Sequence, residues 1–252
     1  MINDNYIDDY ISKIMMEKNK EECDNHKSSG KLSASQLGVP LQWQILKIKG
    51  VCQQPFDEYT LRKFQRGKDV EKWFISVVPN LVEEQKFVEY RNVVGYADTL
   101  IDTTTHHFNC GVIPHEVKSV TNEKFKRIIK DGNADRSHRL QCGLYALALG
   151  KDKFAIDYIA SDDYRIKTYI YDTAEIKDEI DGIITRFDKQ LATGLVPVFV
   201  PEEMWQSSLK YSNYPDFMNK SEDEIKILLK EKYGITLCKS CHKLTENYAK
   251  KA

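Results

Sequence analysis

The chain has no run of eighteen or more apolar residues, so no hydrophobic membrane-spanning helix is expected. It has no excess of positive charge either. At a net charge of −1 there is no global field to attract nucleic acid, and any such binding must come from a local basic patch. The start, MINDNYIDDYISKIMMEKNK, lacks the basic opening and apolar stretch of a secretory leader, which predicts a cytoplasmic location. No internal repeat or low-complexity tract is visible. Of the six cysteines only Cys238 and Cys241 form a close CxxC pair, so thiols or metal ligands are expected rather than a disulfide framework.

What is present suits an ordinary globular protein. Hydrophobic residues make up 41% and charged residues 30% of 252, enough for one large domain, or a domain with an appendage, around a normal core. Apolar positions Tyr6, Ile7, Tyr10, Ile11, Ile14 and Met15 recur at helical spacing and predict an amphipathic helix. Ser33 or Ser35 offers a cap, and Pro40 suits the first turn of a second helix. A longer helix follows over DEYTLRKFQRGKDVEKWFISVVPNL, with Leu61, Phe64, Val70, Trp73 and Phe74 as its buried side and Gly67 interrupting it for close packing.

From residue 86 the hydrophobic period changes to two. KFVEYRNVVGYADTLIDTT and GVIPHEVKSV read as strands, with Pro114 placing the start of the latter at an edge or a bend. NEKFKRIIKDGNADRSHRLQCGLYALALG reads as two helices around DGN. FAIDYIASDDYRIKTYIYDT reads as a hairpin turning near SDD, and AEIKDEIDGIITRFDKQLATG as an amphipathic helix stopped by Gly194. The order predicts an α/β fold, a mixed sheet flanked by helices. Its parts are an N-terminal helical region (1–85), a core (86–201) and a C-terminal helical appendage (202–252).

Three charged residues break the β-rich middle. Asp98 sits in NVVGYADTLIDT, and Glu116 and Lys118 sit two apart in PHEVKSV. Side chains two apart on a strand share a face, so Glu116 and Lys118 point together and Val117 points away. Charges in a half-buried sheet are costly unless something pairs with them. Two carboxylates, with the Val117 carbonyl as a further oxygen, suit a hard cation such as magnesium or manganese. Such an ion lowers the pKa of bound water and polarises a phosphoryl oxygen, and a nearby lysine stabilises the added negative charge. Taken alone, a Glu-x-Lys pair is more often a solvated strand face. Gln141 and Tyr145, four apart on one helix face, add an amide and a phenol able to contact phosphates or the attacking water; alone they would read as a surface amide and a core ring.

VVGYADTLIDT, GVIPHEVKSV and HRLQCGLYALALG, in this order and spacing, resemble the PD-(D/E)XK nuclease superfamily. Within it they are most similar to the RecB-like branch, which includes CRISPR-associated exonucleases and phage recombination nucleases. The resemblance covers residues 33–201, taking in SASQLGVP, RGKDVEKWF and LATGLVPVFVP. It implies a restriction-endonuclease-like core and a magnesium- or manganese-dependent deoxyribonuclease, most readily an exonuclease acting on DNA ends in recombination, repair or phage DNA processing. The metal aspartate falls on Asp98, the Glu-x-Lys on Glu116 and Lys118, and the Gln-x-x-x-Tyr on Gln141 and Tyr145. The branch's helix histidine is replaced by Glu71, a candidate metal ligand or a surface glutamate. The branch's iron–sulfur cluster is not expected: its N-terminal cysteine position holds Val39, and no third C-terminal cysteine follows Cys241.

Cys238 and Cys241, joined by Cys23 and His26, offer the four ligands of a structural zinc site pinning the two ends of the chain; two free thiols are the alternative. Lys124, Lys126, Arg127, Lys130, Arg136 and Arg139, with His138, lie between the Glu-x-Lys strand and the Gln-Tyr helix. They are candidate DNA phosphate contacts, and Phe125 a candidate for stacking a base. A restriction-like or structure-specific endonuclease, and a non-catalytic DNA-binding or assembly module, remain alternatives. So do a homo-oligomer and a recombination or replication protein as partner.

Overall fold

The computed structural model describes residues 5–25, 30–39, 41–49, 56–106 and 109–196, together with 224, 227, 230, 231, 236 and 237. The chain divides into two compact units. One gathers Met1–Gly30, Pro40–Lys63 and Phe187–Ala252; the other, which holds the sheet, gathers Lys31–Val39 and Phe64–Arg186.

In the first unit, helix α1 (Tyr6–Asn25) turns a polar stripe inward. Ser12 and Asn19 are its buried residues, while Tyr6, Ile7, Tyr10, Ile11 and Ile14 stay exposed, the reverse of the expected apolar side. The cause is a polar anchor. Arg62 donates to Asp8 Oδ1 (2.7 Å) and to Ser12 Oγ (2.9 Å), and Asn19 Oδ1 accepts from the Phe56 amide (2.7 Å). Helix α2 (Leu41–Ile48) also belongs to this unit, and Pro40 lies outside the described residues.

The sheet unit opens with strand β1 (Leu32–Ser33) and a single 3-10 turn (Ala34–Gln36). Helix α3 (Glu58–Val77) lends it its second half, and buries Val70 and Phe74 against Ile101, Val117 and Ile159, with Trp73 packed alongside. Phe64 is exposed rather than part of this side. Gly67 faces open space, so close packing is not the reason for it.

Five longer strands follow: β2 (Leu81–Tyr90), β3 (Val93–Asp102), β4 (Val112–Val120), β5 (Lys153–Ala160) and β6 (Ile166–Asp172). The strand order is β1-β3-β4-β5-β6, with β2 also pairing β3. The result is the mixed sheet flanked by helices that the sequence predicts. β2 begins at Leu81, before the expected residue 86. Its outer positions carry exposed charged residues, which hide the alternation.

Pro114 is buried within β4, an inner strand, and not at an edge. It pairs with Leu100 of β3, and β5 joins only from His115 onward, so its missing N–H precedes the doubly paired stretch.

β4 and β5 run parallel and so need a long crossover. Helices α4 (Asn122–Asp131) and α5 (Arg136–Ala148) provide it. Thr121 Oγ1 accepts from the Lys124 amide at the start of α4, and Gly132 ends it in the left-handed conformation. Helix α6 (Ala174–Ala192) packs against α5 where Gly143 leaves no room for more: a Cβ there would lie 2.7 Å from Ile176. No helix among the described residues is long and apolar enough to cross a membrane.

Candidate active site

The site begins where two strands part. β3 and β4 pair from Asp102↔Val112 to Thr99↔His115, and there the ladder ends. The next amide on β4 that could have joined it is satisfied by a side chain: Asp98 Oδ2 accepts from the Val117 N–H at 2.9 Å. The aspartate thus closes the fork and stands beside the Glu-x-Lys segment. Val117 packs against α3, while Glu116 and Lys118 point away from it, as the strand period requires.

Lys118 Nζ donates to Glu116 Oε1. The other oxygen, Glu116 Oε2, is buried and has no hydrogen-bond partner among the described residues. Burial pushes the Glu116 carboxyl up to about 8, against the pull of Lys118 and with Asp98 and Glu71 adding to the rise. Burial also raises the Asp98 carboxyl above its ordinary value, against Lys118 and the Val117 amide. Glu71, on α3, is raised by burial and then by Asp98. Burial works against the Lys118 charge, but Glu116 outweighs it and the ammonium is held more firmly than usual. Three carboxyls all raised by burial, two of them further by Asp98 and one with an orphaned oxygen, are a donor set that a divalent cation would neutralise.

Among the described residues no three acidic, histidine or cysteine side chains already stand as a cage for a metal. Their oxygens are engaged elsewhere: Lys118 takes Glu116 Oε1, the Val117 amide takes Asp98 Oδ2, and Gln85 Nε2 donates to Glu71 Oε1 at 2.7 Å. Gln85 also favours the charged form of Asp98. It carries no sequence signal in the run EEQK, and its positive φ of 49° became visible only in the structure.

α5 supplies the polar stripe. Gln141 Nε2 donates to Tyr145 Oη at 3.0 Å, and burial raises the phenol far above its usual range, with Glu116 adding to the effect. The Tyr145 ring fits because residue 95 is glycine. A Cβ there would lie 2.8 Å from Tyr145 Cε1 and 3.0 Å from Ala34 Cβ. Gly95→Ala should therefore cost about 1–3 kcal/mol through overpacking and lower the thermal midpoint by roughly 2–10 °C. Gly67→Ala, in open space on a helix, should raise it slightly. Thermal unfolding of the two variants checks the contrast.

The basic run divides. Lys124 pairs with Asp135 (2.7 Å), Arg136 pairs with Glu179, and Arg139 lies over the Tyr171 ring (5.6 Å). Lys126, Arg127 and Lys130 occupy exposed positions on α4. Phe125 is 2% exposed and cannot stack a base; it belongs to the core beneath α4. His115, next to Glu116, is buried and bonded to Asp157 Oδ2 through Nδ1 (2.7 Å). Of the proposed zinc ligands, Cys23 lies on α1, while His26, Cys238 and Cys241 are outside the described residues.

No family model matches the chain, and no curated protein does. Among solved structures it is similar to the crystal structure of SSO0001, with a TM-score of 0.45 and 17% identity over 81% of this chain and 94% of that one. It is also similar to an alkaline exonuclease from Laribacter hongkongensis, with a TM-score of 0.43 and 13% identity over 72% of this chain and 95% of that one. A phage-related exonuclease from Haemophilus somnus gives a TM-score of 0.43 and 14% identity over 65% of this chain and 95% of that one.

Proposed function

We propose that this chain is a magnesium- or manganese-dependent nuclease that hydrolyses phosphodiester bonds of DNA, working from DNA ends. The observation that carries the proposal is the buried, partnerless Glu116 Oε2 beside Asp98 and Lys118 at the β3–β4 fork. Asp98 and Glu116 would hold the ion, with the Val117 carbonyl and Glu71 as further oxygen donors. When bound, the ion supplies Lewis-acid polarisation of the phosphoryl oxygen and a water made acidic enough to attack near neutral pH.

The chain's own side chains do the rest. Lys118, a firmly held cation, donates to a phosphoryl oxygen as negative charge builds on it. Gln141 and Tyr145, already bonded to each other, present an amide and a hydroxyl to the strand being cut. Lys126, Arg127 and Lys130 give α4 an exposed basic side for phosphates further along. The preference for ends rests on the resemblance of the Asp98, Glu116-x-Lys118 and Gln141-x-x-x-Tyr145 motifs to the RecB-like branch.

The test is incubation of end-labelled linear, nicked and covalently closed circular DNA with manganese, with and without a chelator. The expected result is chelator-sensitive release of short products from linear DNA alone. Cutting of the closed circle would make the protein an endonuclease instead. Intact DNA in every lane would overturn the reading.

A further inference from the structure

His138 lies three residues before Gln141 and seven before Tyr145, so the three share one stripe of α5. Its surroundings favour one position for the ring proton. Tyr158, the cross-strand partner of Lys118 on β5, accepts at Oη from the Asp135 amide (2.9 Å). His138 Nδ1 lies 2.8 Å from the same oxygen. The amide can only donate, so of these two partners Nδ1 alone can take the phenol's own proton, which favours Tyr158 as donor to Nδ1. The imidazole is then neutral with its proton on Nε2, the nitrogen on the far side of the ring from Tyr158.

The charges around the ring agree. Lys118 on β4, Lys124 on α4 and Asp135 at the start of α5 face it, the last with Oδ2 3.8 Å from Nδ1. Asp135 is itself held by Lys124. Burial first, and then the two lysines, bring the His138 pKa down to about 3 against Asp135. The side chain is 19% exposed, and Nε2 is not one of the buried atoms left without a partner.

We propose that His138 is an uncharged phosphate-binding residue, donating from Nε2–H to a non-bridging oxygen of the nucleic-acid strand at the Lys118 end of the α5 stripe. The identity of the anion rests on the nuclease reading; the tautomer and the anion contact do not. A neutral donor binds phosphate without competing with it for a proton, and it leaves no histidine limb in a pH profile. Tyr158 is the positioning residue that holds this tautomer.

The experiment uses the full chain with 15N-labelled histidine, in chelator, followed by imidazole nitrogen–proton correlation spectra. His138 should show the neutral Nε2–H pattern across mildly acidic to mildly alkaline pH. Thymidine 5′-monophosphate should shift its Nε2–H resonance saturably. His138→Phe, which keeps a flat ring but no donor, should weaken nucleotide binding by about tenfold to a hundredfold, the size of one hydrogen bond to a charged group. His138→Gln should recover part of it. In DNA cleavage the loss should fall on KM more than on kcat. An Nδ1–H or doubly protonated ring at neutral pH, an unmoved resonance with nucleotide, or unchanged nucleotide affinity in His138→Phe would each overturn the proposal. If wild-type protein cuts no DNA but the nucleotide still shifts His138, the nuclease reading falls and this one stands.

Discussion

Lys118→Ala should leave a folded protein whose manganese-dependent cleavage of linear DNA drops by about a hundredfold to a thousandfold, the usual cost of removing one preorganised donor to developing negative charge. The fold should survive, because Glu116 is already raised to about 8 and can keep its proton near neutral pH once its partner is gone. Asp98 needs a more careful substitution. Its carboxylate also satisfies the Val117 amide at the fork, so Asp98→Ala would remove an ion ligand and orphan a backbone donor together, the second costing about 1–3 kcal/mol. Asp98→Asn keeps an oxygen for that amide and removes only the charge. The expected pattern is near-normal unfolding with cleavage lost in Asp98→Asn, and lower stability with cleavage lost in Asp98→Ala. Wild-type rates in both Lys118→Ala and Asp98→Asn would remove this cluster from the chemistry.

The second large effect is a dependence of stability on pH that metal should abolish. In chelator, the wild-type protein should become less stable as the pH rises from the ordinary glutamate value of 4.5 to about 8. Across that window the folded state keeps a proton on Glu116 that the unfolded chain has released, so each step up in pH favours unfolding, by a total on the order of a few kcal/mol. Glu116→Gln has no proton to lose and should flatten this slope. Saturating manganese should flatten this slope, because neither the ion-bound folded state nor the unfolded chain then carries the Glu116 proton. Glu116 must shed its proton to bind, so affinity should climb about tenfold per pH unit up to the carboxyl's own pKa, with about one proton released per ion. Glu116→Gln should bind manganese much more weakly at every pH. Denaturant midpoints from about pH 5 to about pH 9, with calorimetry in two buffers of different ionisation enthalpy, measure both. Parallel stability curves for wild type and Glu116→Gln would show that the carboxyl does not hold its proton in the folded state.

Much of this was legible in the residues. The alternation around Asp98 and Glu116-x-Lys118, the crossover in two helices, and the Gln141–Tyr145 spacing all depend on local periodicity, which a sequence displays directly. What was hidden depends on partners distant in the chain. The helix over 6–25 shows an apolar stripe, yet Arg62 and Phe56 draw its polar side inward. Phe125 sits among lysines and reads as exposed, yet its place on α4 turns it into the core. Lys124 and Arg136 look free in a basic run until Asp135 and Glu179 arrive beside them. Gln85 sits between Glu84 and Lys86 with no motif around it, and it meets Glu71 only through the fold. Pro114 argued for an edge because the sequence cannot show where β5 begins to pair.

The parting of β3 from β4 has a further consequence. Sheet strands usually hold one another by backbone bonds that only a proline can remove, but at Val117 that role has passed to a carboxylate. The join is therefore titratable and mutable at a spot where a continuous ladder would be neither, and the same side chain that pins the sheet shut is the one the chemistry would ask to turn toward an ion.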